Sequence, residues 1–401
     1  MRLPSAPSAI REEDRALYER LATLPDIPFT AQERSHYLDR FIGLPSGREK
    51  PGRFWRVDFE SLRPNSTTLD LQPTTVAVEN SNRGIAVFDL ATAARECPAL
   101  LARAFGATGV HATKFGALAA AFAQRGVFVH VPADRACDEP ILIRYTAPAG
   151  GAIFPASVVL AERGARVTIV ERIEAGNDAF VCGTTEIVTE ENAEVVYAAV
   201  QSAAESARVL WNRTARPGRD ARVAWANAEF GGALAAGDLC VLIEEPGITT
   251  EIAAIFFPRG TQHVDVVSTV EHRAGDATSE TLVKSAALDR GQARFLGNIR
   301  IAPHAQGSDA RLRDDALLLS TTAHVDSVPA LEIGANDVKA YHGATVGAID
   351  REQIFYMESR GIERAAAERM IALGFFEPAI ERFPTAQLRD EIREALAAKL
   401  S

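Results

Sequence analysis

Between about residue 140 and residue 340 the chain carries one short apolar or alternating run after another, each closed by turn chemistry and none followed by an amphipathic helix. Ile141 to Ile143, Ser157 to Leu160, Val167 to Val170, Val195 to Val200, Cys240 to Ile243, Ile252 to Phe257, Val264 to Val270 and Phe295 to Ile301 are such runs. Arg163-Gly164, Pro217-Gly218-Arg219-Asp220, Pro246-Gly247, Gly275-Asp276 and Asp289-Arg290-Gly291 punctuate them. A doubly wound α/β sheet needs crossover helices between its strands, and this stretch supplies none. A sandwich, a barrel or a solenoid of stacked strands remains. No strict repeat period stands out, so the pattern does not choose among the three.

The two ends read as helical. Ile10, Leu17, Leu21 and Leu24 fall near helical spacing, and Thr30 with Glu33 forms a capping box that opens a second helix ending near Gly43-Leu44-Pro45. Helices are also expected near Thr92 to Phe105 and over Lys114 to Gln124, before a strand at Val127 to Val131. At the other end Asp350 caps a helix that stops at Gly361, and Glu363 to Leu373 forms a second that stops at Gly374. Leu388, Ile392, Leu396 and Leu400 place one apolar stripe on a third, packed on its own domain by default or docking a partner. The expected organisation is a mostly helical region over 1–140, a β core over 141–345 and a helical domain over 346–401.

Forty-three Lys and Arg stand against 53 Asp and Glu, a net charge of −10 that repels nucleic-acid backbones and anionic membrane surfaces. The start of the chain lacks the apolar core of a secretory signal, and no apolar run reaches the ~18 residues of a membrane span, so a cytoplasmic protein is expected. Cys97, Cys137, Cys182 and Cys240 are scattered without a C-x-x-C pair, which suggests separate, mostly buried thiols.

Nucleotide-binding, G-x-S-x-G and H-E-x-x-H motifs are absent, so hydrolysis has no sequence support. His263, Asp265, Glu271 and His272 invite a stand-alone metal-binding β enzyme of cupin type, against the plainer reading of polar residues on a strand face. Asp309, Asp314 and Asp315 invite paired-carboxylate chemistry or calcium, against solvated turn residues. His342 lies between Asp337-Val338-Lys339 and two nearby glycines, at the junction of the β region with a helix, where a constrained backbone would present an imidazole at one spot.

The residues around that histidine resemble a known family. Pro329-Ala330-Leu331-Glu332-Ile333, Asp337-Val338-Lys339, His342-Gly343-Ala344-Thr345-Val346-Gly347, Glu352-Gln353, Phe355-Tyr356 and Ser359-Arg360-Gly361-Ile362 look like the signature of the SufB/SufD family of iron-sulfur cluster assembly subunits, and of its SufD branch. Phe295-Leu296-Gly297-Asn298-Ile299 and Leu317-Leu318-Leu319-Ser320 support the match, and Phe54-Trp55-Arg56 resembles the family's helical entry. SufB typically has glutamate after the motif histidine where Gly343 stands, and a nearby cysteine where this chain has Ala340-Tyr341.

The resemblance implies a mainly β protein, a right-handed parallel β-helix flanked by helices, acting as a non-catalytic scaffold without a cofactor of its own. It implies a SufB-type partner with His342 at their interface, a cluster formed there transiently, and a SufC-type ATPase docked on the C-terminal helices. Tyr356, Arg360 and Phe375 are the docking candidates. Flavin binding by the full complex and a homodimer of the isolated chain stay open. A purely structural β-solenoid is the remaining alternative.

Overall fold

The computed structural model describes residues 12–25, 28–44, 54, 57, 71, 75–79, 84–137 and 139–400. The expectations for Ile10, Pro45, Trp55, Arg56 and the start of the chain lie outside those residues. The fold is mainly β, a solenoid of about 8 turns with helices at both ends.

Each turn contributes one strand to each of two sheets. In the first sheet Arg166 lies opposite Glu194, followed in parallel register by Arg222, Thr249, Thr278, Asp309 and Lys339. Successive partners are 27 to 31 residues apart, so the repeat is real but elastic. Loop lengths that vary by a few residues hid it from a search for a strict period.

One corner carries the repeat in its backbone. Asp134, Gly164, Asn192, Asp220, Gly247, Asp276 and Gly307 all have φ between 53° and 77°. Only Gly, Asn and Asp enter that left-handed region routinely, and here one of them turns the chain on each rung. At Gly247 a Cβ would sit 1.8 Å from Asp220 Oδ1 on the rung below, so a side chain there would have to displace that carboxylate as well as adopt the left-handed backbone.

Between the sheets lies the main core. Ile141, Ile169, Tyr197, Trp225, Ile252, Thr281 and Leu312 stack in register along one inward column. Charge is buried beside them. Glu171 accepts hydrogen bonds from Ser157 (2.7 Å), Tyr197 (2.7 Å) and Arg213 (3.2 Å), while Arg213 also donates to Asn227 (2.9 Å). Glu229 lies 3.8 Å from the same guanidinium, and burial pushes its carboxyl up to about 7 against the pull of Arg213. The Arg213 guanidinium also lies over the Trp211 indole, 4.1 Å from its centre. The indole in turn leaves no room for a side chain at Gly237, whose Cβ would lie 2.0 Å from Trp211 Cζ2.

The outer faces are covered by the terminal helices. Phe115, Leu118 and Phe122 of the Lys114–Phe122 helix share a cluster with Leu38 and Phe41 of Ala31–Gly43 and with Cys182, Leu210 and Ala236 of the second sheet. Thr30 and Glu33 form the expected capping box. Over the first sheet, Phe376, Ile380, Leu388, Ile392 and Leu396 of the helices Arg364–Ile380 and Ala386–Lys399 bury Val170, Ala198, Ala226 and Ile255. The terminal leucine stripe therefore packs on its own solenoid.

Four local expectations are corrected. The helix expected to stop at Gly374 continues to Ile380, because burying Phe376, Ala379 and Ile380 against the sheet outweighs the local cost of Gly374 and Pro378. The helix expected over Thr92 to Phe105 is two short pieces, Leu90–Glu96 and Pro98–Leu101, divided at Pro98, which cannot donate the helical hydrogen bond. Of the four cysteines only Cys182 is buried. Asp314 and Asp315 are not solvated turn residues but buried members of the Asp309–Leu318 strand.

Candidate functional site: the open end of the solenoid

At its first rungs the parallel stacking of the solenoid gives way to antiparallel edge strands. Thr75–Glu79 and Ala86–Asp89 add antiparallel to the first strands of the two sheets. At the far end His324–Ile333 and Lys339–Ala348 are the last strands, and each has a neighbour on one side only. An unpaired edge offers a row of backbone donors and acceptors to any strand that fits it.

Which groups are offered follows from parity. Lys339 N–H donates to Ser308 O, so in a regular strand the odd residues bond backward and the even residues turn their N–H and C=O to the open side. Ala340, His342, Ala344, Val346 and Ala348 thus present an uninterrupted row. On the other strand His324 N–H donates to Gly291 O and Gly334 N–H to Ile301 O, so the odd residues face outward there. Pro329 is one of them and removes a donor from that edge. The Lys339–Ala348 edge is the better template.

The core is also open in cross-section. Leu312 pairs with His342, so the imidazole extends the inward column that begins at Ile141, with no rung above it. His342 is exposed for that reason. Val346 follows Ala316 on the same inner face, Ile333 follows Ile301, and both are 43% exposed. Tyr341 projects to the outside. Its hydroxyl lies 2.6 Å from where a Gly343 Cβ would be, so the small residue gives the ring its place and the ring does not lie over His342.

One rung behind the opening, Asp314 faces inward opposite Ala344 and takes a short hydrogen bond from Ser327 of the facing sheet. Burial pushes its carboxyl up to about 7, and Asp315 adds to the rise. The sequence reading missed Asp314 as part of this end. Its alternation with Leu312 was the available signal, since residues two apart in a strand share a face.

The docking candidates separate. Tyr356 is 59% exposed on the Arg351–Ser359 helix, beside Phe355 at 72%, and the Arg360 guanidinium lies 5.2 Å from the Tyr356 ring centre. Phe375 is half-buried, meets Phe376 edge-on and has Lys284 Nζ 4.5 Å from its ring centre. It belongs to the packing of its helix on the solenoid.

The cupin-like set does not converge. Asp265 and His272 lie on opposite faces of one strand, Asp265 ion-paired with Arg294 at 2.9 Å and His272 bonded inside to Ser279 at 2.9 Å. Among the described residues no group of three or more His, Cys, Asp or Glu is placed to hold a metal ion. Among the described residues no helix is long and apolar enough to cross a membrane.

Comparison with known proteins agrees with the resemblance seen around His342. The family model for the SUF system FeS cluster assembly SufBD core domain matches residues 143–375. Iron-sulfur cluster assembly protein SufD of Bacillus subtilis is 29% identical over 330 residues, covering 80% of this chain and 75% of that protein. The Escherichia coli protein of the same name is 35% identical over 171 residues, 43% of this chain and 40% of that one. A SufBD family protein of Mycobacterium leprae is 27% identical over 234 residues, 58% of this chain and 27% of its own length. The matched core spans the solenoid from its early rungs through the open end and into the C-terminal helices, and the chain belongs to the SufBD family of iron-sulfur cluster assembly proteins.

Proposed function

We propose that this chain is a non-catalytic scaffold subunit whose open end is completed by a SufB-type partner, with the nascent cluster as cargo at the junction. The observation that carries this reading is the last rung. An uninterrupted row of edge donors and acceptors lies beside a cross-section of core that exposes Ile333, Val346 and His342. A partner strand laid along Lys339–Ala348 satisfies the backbone and covers the apolar interior in one step.

His342 then faces the junction. A neutral imidazole serves as a ligand or as a proton carrier, and the cysteine that this chain lacks near the motif comes from the partner. A SufC-type ATPase docks on the exposed side of the C-terminal helices. Phe355 and Tyr356 face outward there, with Met370 at 55% exposure on the next helix. Movement of the docked ATPase would reshape the junction as a rigid-body change.

The test is co-expression with a SufB-type and a SufC-type subunit, purified through a tag on this chain. Both subunits are expected to co-purify in stoichiometric amounts. Recovery of this chain alone, monomeric or as a homodimer, contradicts the reading.

A further inference from the structure

Asp314 is fully buried one rung behind the opening, and only half of its carboxyl is engaged. Its Oδ2 accepts the short hydrogen bond from Ser327 Oγ, and among the described residues its Oδ1 has no hydrogen-bond partner. In register beside it stand Val283 on the rung behind and Ala344 on the last strand, whose side chains neither donate nor carry charge. Asp315, the next residue, points to the outer face, where Lys284 and Arg313 each hold it at 2.8 Å. Burying a carboxyl with an unengaged oxygen costs stability, and an acid so placed beside a functional opening is suited to proton transfer.

Ser327 connects this acid to the outside. It is half-buried on His324–Ile333, the last strand of the second sheet, and follows Phe295 on the inward face, so its hydroxyl stands in the open cross-section. The pair forms a two-step path, with a hydroxyl at the mouth and a carboxyl one strand spacing, about 5 Å, behind the last rung. His342 shares the inner face but lies two positions along the strand from Ala344, about 7 Å at the rise of an extended chain. The path therefore reaches the mouth without the imidazole.

Resting on the reading that a SufB-type partner covers this end and brings the cysteine, we propose that Asp314 is the proton acceptor of the junction and Ser327 its relay. When a partner thiol binds ferrous iron, its S–H bond breaks and an S–Fe bond forms. The released proton goes to Ser327 Oγ, whose own proton passes along the existing hydrogen bond to Asp314 Oδ2. The carboxylate becomes a carboxylic acid, and no electron is transferred. A junction closed by the partner excludes water, so an acceptor inside it replaces the solvent as base. The elevation of the Asp314 carboxyl to about 7 suits an acid that takes up and gives back a proton at neutral pH.

The experiment follows the initial rate of cluster formation on the anaerobic co-purified complex, supplied with ferrous iron and sulfide, across the acid-to-neutral range for wild type, Asp314→Asn and Ser327→Ala. At the acid end the wild-type carboxyl already holds its proton, so wild type and Asp314→Asn should run alike. Above about pH 7 wild type should be faster by about tenfold or more, with the ratio following the titration of one group. Ser327→Ala keeps the carboxyl, breaks the path and should be slow as well. The final cluster content should be unchanged in both variants, which separates this role from that of His342. Melting temperatures of the isolated chains, where Asp314→Asn is expected to be the more stable, exclude unfolding as the cause of a slow rate. A ratio that does not change with pH overturns the inference and leaves the partner reading standing, and Ser327→Ala at the wild-type rate overturns the relay. Failure of the wild-type chain to co-purify a SufB-type subunit overturns both readings.

Discussion

Tyr341 and His342 are neighbours in the chain and stand on opposite faces of the last strand. The Tyr341 hydroxyl overhangs Gly343 outside, while His342 continues the column of Leu312 inside. One residue is available for packing at the rim and the other for chemistry within the junction. Tyr341→Ala is accordingly expected to weaken partner binding modestly, by about 1 kcal/mol for a rim aromatic, without lowering the cluster content of the complex that forms. Titration of partner binding, followed by iron and sulfide analysis of the saturated complex, separates the two effects.

Backbone parity gives a sharper test of edge pairing. Ala344→Pro removes a donor that faces the open side, so the isolated chain should keep its fold and lose partner affinity by about 1 to 3 kcal/mol, the cost of leaving the opposing carbonyl unsatisfied. Thr345→Pro removes a donor that bonds back to the Asp309–Leu318 strand and should lower the melting temperature of the isolated chain. Equal effects from both substitutions would show that the edge is not used as a template.

Inside the solenoid, Arg213 neutralises Glu171 and draws on Asn227. Arg213→Met strips a buried carboxylate of its cation, and a loss of about 3 to 5 kcal/mol is expected in chemical denaturation. The Arg213→Met, Glu171→Gln double variant should recover part of that loss, because the uncompensated charge is gone.

Asp314 makes the end of the solenoid sensitive to pH. Its folded-state value of about 7 lies above the ordinary aspartate value of 3.8, so the folded chain holds this proton where the unfolded chain has released it. Its contribution to stability therefore falls as pH rises from about 4 to about 7 and is level beyond. Asp314→Asn keeps an acceptor for Ser327 and should raise the melting temperature at neutral pH, with the gain disappearing near pH 4. A gain that is constant across that range would contradict the account.

On the helical side, Phe355 and Tyr356 are exposed while Phe375 is packed. Alanine at either exposed position should leave stability within about 0.5 kcal/mol and reduce ATPase capture, whereas Phe375→Ala should destabilise the chain. Thermal melts beside pull-downs distinguish these outcomes.

Much of the fold was legible because turns and strands are local. The β core, the flanking helices and the Thr30–Glu33 capping box follow from short-range pattern. The solenoid's period escaped because its signal is one left-handed Gly, Asn or Asp per rung at spacings that drift with loop length. Asp314 escaped because its burial comes from the two strands that follow its own, through Ser327 and Ala344, and not from its own run of residues. Gly374 misled for the converse reason, local propensity yielding to a buried Phe376. His342 was found through its motif, and only the stacking of rungs showed it to be the exposed last member of an interior column.

The central claim is that His342 works within the junction, and anaerobic iron and sulfide content of the co-purified complex tests it most directly. In His342→Ala the SufB-type and SufC-type subunits should still co-purify and the cluster content should fall severalfold or more. A variant complex that carries the wild-type complement of clusters would contradict the claim and leave His342 a structural cap on the column of Leu312.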